Sequence, residues 1–182
     1  MSGKKSAGSS RRVRALINAI GFAGFSNSGK TTLITRLAAW YEGRGIRVAV
    51  IKHDAHGHYK ELPGTDSSKF IASGASSVVV VSPEETRIYE RQSIGLQERL
   101  KRMEGQYDLV LIEGFKTDSH DKIAVFRSPE QAGVVSLLSP PAIAWAAEDP
   151  AHAGSAKVPI YSINDIEGIA CFISNRFSLP VL

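Results

Sequence analysis

The stretch "GFSNSGKTT", Gly24 to Thr32, fits the spacing G-x-x-x-x-G-K-[ST], and its setting constrains the fold more than any other feature of the chain. The short apolar run "ALINAIGFAG" (15 to 24) precedes it, and "TTLITRLAAWYEG" (31 to 43) follows, with Leu33, Ile34, Leu37, Ala38 and Tyr41 at helical spacing. A strand therefore enters a glycine-rich turn and a helix leaves it, which is the arrangement a phosphate group requires. Glycines let the loop curl until successive backbone N–H groups converge on one anion, and the helix N-terminus adds its dipole. On this reading Gly24, Ser26, Asn27, Ser28, Gly29, Lys30, Thr31 and Thr32 bind a nucleotide. Lys30 reaches the β and γ oxygens, and Thr31 offers its hydroxyl to Mg²⁺.

The same alternation continues down the chain. "IRVAVIK" (46 to 52), "SSVVVVS" (76 to 82), "YDLVLIEG" (107 to 114), "AIAWAAE" (142 to 148) and "VPIYSI" (158 to 163) read as strands. "DSSKFIASGA" (66 to 75), with an Asp suited to a helix N-cap and a Gly suited to its end, "SIGLQERLKRMEG" (93 to 105) and a segment from about Asn164 read as helices. "TRIYERQS" (86 to 93) and "DKIAVFR" (121 to 127) are expected as edge strands. Strands apolar throughout and separated by helices imply an α/β fold, a mainly parallel sheet with helices on both faces.

A chain of 182 residues, 43% of them hydrophobic, matches one domain with a substantial core. Its formal charge of +4 suggests nucleic acid, but Lys4, Lys5, Arg11, Arg12 and Arg14 fall before residue 15 with no acid among them. Without those five, 17 basic residues face 18 acidic ones, so the body is nearly neutral and no nucleic-acid partner is expected. The Ser/Gly-rich stretch "MSGKKSAGSSRR" cannot support packing, which predicts a disordered basic tail over 1–14 and a single nucleotide-binding domain over 15–182. The tail has no apolar segment of the secretory kind, and nothing later supplies the ~20 apolar residues of a membrane helix; a cytoplasmic protein is expected. Cys171, in "IACFI", is the sole cysteine and reads as a small buried hydrophobe.

Magnesium bound to phosphate needs carboxylates, and in parallel sheets these stand at the C-terminal ends of strands beside the loop. Asp54, after the second strand, and Glu113, which closes "LVLIEG", occupy such positions. Asp54 also sits among His53, His56 and His58 in "IKHDAHGH", a cluster that could hold a transition metal. Mg²⁺ prefers oxygen ligands and would leave the imidazoles to contact a substrate or phosphate, or to remain solvated loop residues.

Taken together, "GFSNSGKTTL", "IKHDAHGH", "PGTDS" followed by "SGA", and "LVLIEGFK" resemble the molybdopterin-guanine dinucleotide biosynthesis protein B family, MobB, from about residue 17 to 127. The pairing of "IKHDAH" with "EGFK" is far more specific than the phosphate loop. The resemblance implies a P-loop NTPase fold and a GTP-binding accessory protein that assists attachment of GMP to molybdopterin together with the nucleotidyltransferase MobA. It further implies weak GTP hydrolysis and a homodimer. By the same resemblance Lys30, Thr31, Asp54 and Glu113 form the nucleotide and Mg²⁺ site, with Thr31, Asp54 and Glu113 as the metal ligands; Lys30, Asp54 and Glu113 are the candidate catalytic residues, and His53, His56, His58, Asp66 and Ser67 are candidate substrate contacts.

Departures from the family pattern are visible. Asn27 stands where many members carry glycine, and Thr65 replaces the lysine usual in "PGKDS"; Asn tolerates the left-handed backbone region, whereas Thr65 removes a cation. Phe25 occupies the position of the second lysine found in dimeric deviant P-loop ATPases. There is no N-K-x-D guanine-reading motif, so guanine preference follows from the resemblance alone. Two other classes fit a phosphate loop: a small-molecule kinase or ATP-dependent ligase of the dethiobiotin synthetase kind, with His53 or His56 as the activating group, and a nickel-insertion GTPase, which the His-rich loop favours and the missing cysteine motif disfavours.

Overall fold

The computed structural model describes residues 17–55, 57, 61–153 and 156–180. The tail expected over 1–14, and His56 and His58, lie outside the described residues. Among the described residues eight strands and five α-helices follow one another: β1 (Ala19–Ala23), α1 (Lys30–Glu42), β2 (Val48–Lys52), α2 (Asp66–Ala72), β3 (Ser77–Val81), β4 (Thr86–Glu90), α3 (Leu96–Met103), β5 (Leu109–Glu113), β6 (Asp121–Phe126), α4 (Pro129–Ala132), β7 (Ala144–Ala147), β8 (Ile160–Ser162) and α5 (Ile166–Phe177). Six strands form one parallel sheet in the order β2-β5-β1-β6-β7-β8.

Side-chain alternation divides this sheet between two cores. Ile20, Phe22, Leu109, Leu111, Ile123 and Val125 pack on one face with residues of α1 and α5. Val110 and Ile112 meet Leu96 and Leu100 of α3 on the other, where Ala124 and Phe126 meet Val134 of the 3-10 turn Gly133–Leu137. The stripe read from the sequence of α1 is buried at Leu33, Ile34, Leu37 and Tyr41, each such burial contributing about 1.5–3 kcal/mol. The Tyr41 hydroxyl, 2.8 Å from the carbonyl of Ala170 and 3.1 Å from Ser174 Oγ, fastens α1 to α5. Cys171, on α5, is only partly buried, short of the fully buried position expected.

Two strand expectations change. "SSVVVVS" and "TRIYERQS" do not join the main sheet: β3 and β4 pair antiparallel in a sheet of their own, with Val79 opposite Ile88 and Val81 opposite Thr86. The turn between them closes through Ser82, whose N–H donates to the Glu85 carbonyl at 2.9 Å and whose Oγ accepts from the Glu85 N–H at 3.1 Å. A run of valines reads as a buried strand, but here a tight reversal sends the next segment straight back along it. "DKIAVFR" is not an edge strand. β6 lies between β1 and β7, and its residues Lys122 to Phe126 are buried.

β6 carries a charged residue, Lys122, that is fully buried on the sheet. Its ammonium donates to the carbonyls of Asp118, His120 (3.0 Å) and Ser139 (3.1 Å). Burial holds its pKa below the ordinary lysine value. The first two acceptors belong to residues 114–120, which carry the chain from the C-terminal end of β5 to the start of β6 without a helix. Such a short crossover must run close against β1, and Gly21 makes that possible: a Cβ there would lie 2.3 Å from His120 Nε2. His120 is buried, and burial lowers its pKa to about 4, with the Lys122 charge adding to the effect.

Candidate nucleotide site

β1 opens at its C-terminal end into the loop Gly24 to Gly29. A Cβ on Gly24 would lie 2.3 Å from the Val125 carbonyl and 2.4 Å from Ser28 Oγ. Gly29 has φ 90°, and a Cβ there would meet Ile163 Cδ1 at 2.7 Å. Both glycines are therefore required by close approach, and Gly29 also by backbone conformation. Asn27 adopts the left-handed conformation its side chain tolerates, φ 59°.

The loop delivers an α1 N-terminus with no side-chain cap and no acid in its first turn. The other helices manage their starts differently. Thr65, Ser128 and Asp165 cap α2, α4 and α5, and α3, which also lacks a side-chain cap, has Glu98 in its first turn. An N-terminus left with its N–H groups and positive dipole unanswered is suited to an anion. Above it opens a cavity of about 640 Å³ lined by Ser26 to Thr32 together with Lys52, Glu113 and Arg127.

Lys30 lies half-buried across its own loop, its Nζ donating to the Phe25 carbonyl at 2.7 Å and to Ser28 Oγ at 3.4 Å. Burial lowers its pKa; Glu113 opposes that, and Lys116 and Lys52 reinforce it. The Thr31 hydroxyl lies 3.2 and 3.1 Å from the two carboxylate oxygens of Glu113. The two residues expected to share a cation are thus neighbours although 82 positions apart in the chain.

Parallel pairing brings the two signature segments together, with Lys52 opposite Glu113. His53 N–H donates to the Glu113 carbonyl at 2.9 Å, and its ring stacks on Phe115 with centroids 4.3 Å apart. Gly114, at φ 96°, makes room, since a Cβ there would lie 2.9 Å from His53 Cβ. "IKHD" and "EGFK" are one packed unit at the ends of β2 and β5. Asp54, half-buried, follows His53 and is not among the residues lining the cavity. Neither Asp66 nor Ser67 lines it: Asp66 pairs with Lys69 at 2.9 Å on α2, and Ser67 Oγ donates to Glu61 at 3.2 Å. Thr65, where the family has lysine, is the N-cap of α2, a place expected for Asp66. Among the described residues no group of three or more His, Cys, Asp or Glu side chains converges as metal ligands.

Three cations at the site escaped the sequence reading. Lys52 and Arg127 line the cavity, and Lys116 Nζ lies 4.8 Å from the centroid of the Phe25 ring. Lys52 closes β2, Arg127 directly follows β6 and Lys116 comes three residues after β5, so position at or just past a strand end was the available signal.

A glycine-rich turn between a central parallel strand and an uncapped helix, beside a strand ending in a carboxylate, defines a P-loop NTPase fold. The chain belongs to the MobB family: the family model "Molybdopterin guanine dinucleotide synthesis protein B" matches residues 19–148, more than half of its length. It is 33% identical over 170 residues to the molybdopterin-guanine dinucleotide biosynthesis adapter protein of Escherichia coli, covering 88% of this chain and 93% of that one. The corresponding adapter protein of Haemophilus influenzae is 32% identical over 159 residues, covering 86% and 87%. Among solved structures, a molybdopterin-guanine biosynthesis protein B superposes with TM-score 0.68 at 31% identity over 88% of this chain and 99% of the other. Bacillus subtilis MobB superposes with TM-score 0.72 at 25% identity over 87% and 97%.

Proposed function

We propose that this chain is a cytoplasmic GTP-binding adapter in molybdopterin-guanine dinucleotide synthesis, which holds Mg²⁺-GTP for a MobA-type nucleotidyltransferase as GMP is joined to molybdopterin. The observation that carries the nucleotide reading is the uncapped, acid-free start of α1 beneath the Gly24 to Gly29 loop, with Lys30 already laid across it. Adjacent hydroxyl and carboxylate oxygens of Thr31 and Glu113 suit a hard cation, and Asp54 would complete the set. When bound, Mg²⁺ would shield the phosphate charge. Thr31, Glu113 and Asp54 would hold it, while Lys30 and the loop N–H groups bind the phosphates. Slow hydrolysis suits such a site, because the carboxylate of Glu113 at the cavity is engaged with Thr31 and assigned to the cation rather than to a water. That favours an adapter over a kinase or ligase. The histidines 53, 56 and 58 are left to molybdopterin or the partner enzyme, with Asp66 and Ser67 as further contacts on α2.

Asp54→Asn and Glu113→Gln should each weaken Mg²⁺-dependent GTP binding by about 1–3 kcal/mol, and the double variant should lose less than the sum because both acids act on one ion. His53→Ala and His58→Ala should leave that binding intact. Magnesium titrations of GTP affinity check this; unchanged dependence in both acid variants, with Zn²⁺ or Ni²⁺ binding lost in the histidine variants, would make the segment a transition-metal site.

The adapter is a homodimer in this reading, joined through the β3–β4 hairpin. α2 packs near the Val78 face of that hairpin, where Val80 is still 43% exposed, whereas Val79, Val81 and Ile88 on the opposite face are 55%, 74% and 65% exposed. A two-stranded sheet with one bare apolar face is marginal alone. Ile88→Glu should convert a dimer to a monomer in light scattering after gel filtration; a wild-type monomer, or a dimer that survives the substitution, contradicts the assignment.

A further inference from the structure

We infer that Glu148, held in place by Arg127, reads the guanine edge of the bound nucleotide. The inference rests on the nucleotide reading above and supplies the base contact for which the sequence offers no N-K-x-D motif. The site is asymmetric about its loop. Thr31 and Glu113 meet on the β5 side, which assigns the metal and terminal phosphates to that flank. The nucleoside then extends over the ends of β6, β7 and β8, the other flank of the sheet at its switch point.

Arg127, directly after β6, is built into that flank. Its Nε would lie 3.2 Å from a Cβ on Gly29, and its backbone N–H donates to Gln131 Oε1 at 2.9 Å. The Gln131 amide in turn donates to the Ser26 carbonyl at 3.4 Å, so the backbone from which the guanidinium springs is tied to the phosphate loop. Glu148, directly after β7, places Oε2 3.4 Å from Arg127 Nε, both side chains half-exposed toward solvent. The neighbouring acids are committed elsewhere: Asp149 accepts from the N–H of Ala151 and Asp165 from that of Gly168, each at 2.9 Å. Glu148 thus pairs with a side chain that itself borders the nucleotide cavity.

Guanine presents two parallel donors, N1–H and the C2 amine, which fit the two oxygens of one carboxylate. Adenine presents an acceptor at N1. Xanthine replaces the C2 amine with a carbonyl that repels a carboxylate. Glu148 therefore selects guanine against both, and Arg127 is its positioning residue.

The test measures binding of the Mg²⁺ complexes of GDP, ADP and XDP to the full chain by calorimetry, for the wild type and for Glu148→Gln. A glutamine keeps the shape but offers an N–H to the xanthine carbonyl. GDP affinity should fall about 10- to 100-fold, the loss of a charge-assisted contact, while XDP affinity rises and ADP is unchanged. A GDP-to-XDP ratio that stays constant, whether all three affinities fall together or none moves, overturns the assignment of Glu148 and leaves the nucleotide site standing. A wild type that binds none of the three overturns the nucleotide reading itself.

Discussion

Lys30→Ala should abolish measurable GTP binding while the protein melts at nearly its wild-type temperature. The sequence suggests a solvated lysine awaiting its ligand; the structure gives a more specific picture. Lys30 is half-buried, donates to the Phe25 carbonyl at 2.7 Å, and has a pKa lowered first by burial. Much of its desolvation and ordering has therefore occurred before any phosphate arrives, so little of the contact energy is lost to them. Losing a charged contact to the β and γ oxygens costs on the order of 3 kcal/mol, above 100-fold in affinity. The fold is spared because Lys30 borders an open cavity, from which water can replace its ammonium at the Phe25 carbonyl, so the loss of one hydrogen bond costs about 1 kcal/mol. Calorimetric titration with GTP and a thermal melt decide the matter together. Native melting with unchanged affinity would mean that this loop is not a nucleotide site.

Lys122→Met should do the reverse, removing about 3 kcal/mol of stability through the backbone carbonyls of Asp118, His120 and Ser139, which lose their donor in a place water does not easily reach. Methionine fills the volume but donates nothing. The crossover 114–120 should loosen first, and GTP affinity should weaken secondarily because that segment begins at Gly114, next to Glu113 and under His53. Urea denaturation measures the loss; a midpoint within error of the wild type would show that the three carbonyls find other partners.

The contrast between these two lysines describes how much could be read in the chain. Lys30 announced itself because its chemistry is local: loop, helix start and lysine are contiguous, and Leu33, Ile34, Leu37 and Tyr41 then repeat at the helical period. Glu113 was legible for a similar reason, as a lone acid ending a run of buried residues. Lys122 was not legible, since only the three-dimensional course of residues 114–120 and the Ser139 carbonyl make a lysine into a core residue of a central strand. β3 failed in the opposite sense. Its valines carry the pattern of a central strand, and nothing local reveals that they pair only with β4 and leave Val79 and Val81 exposed. Arg127 and Glu148 lay hidden because neither belongs to a contiguous motif; they meet only because β6 and β7 are neighbours in the sheet.

In the proposed function this chain binds Mg²⁺-GTP at the loop after β1 in order to serve molybdopterin-guanine dinucleotide synthesis. The most direct test is calorimetry on the purified chain with GTP, ATP and free molybdopterin, each with and without Mg²⁺. Tight binding of GTP that depends on Mg²⁺, clear preference over ATP, and binding of molybdopterin is the predicted result. Equal or stronger binding of ATP, or GTP binding indifferent to Mg²⁺, would contradict it.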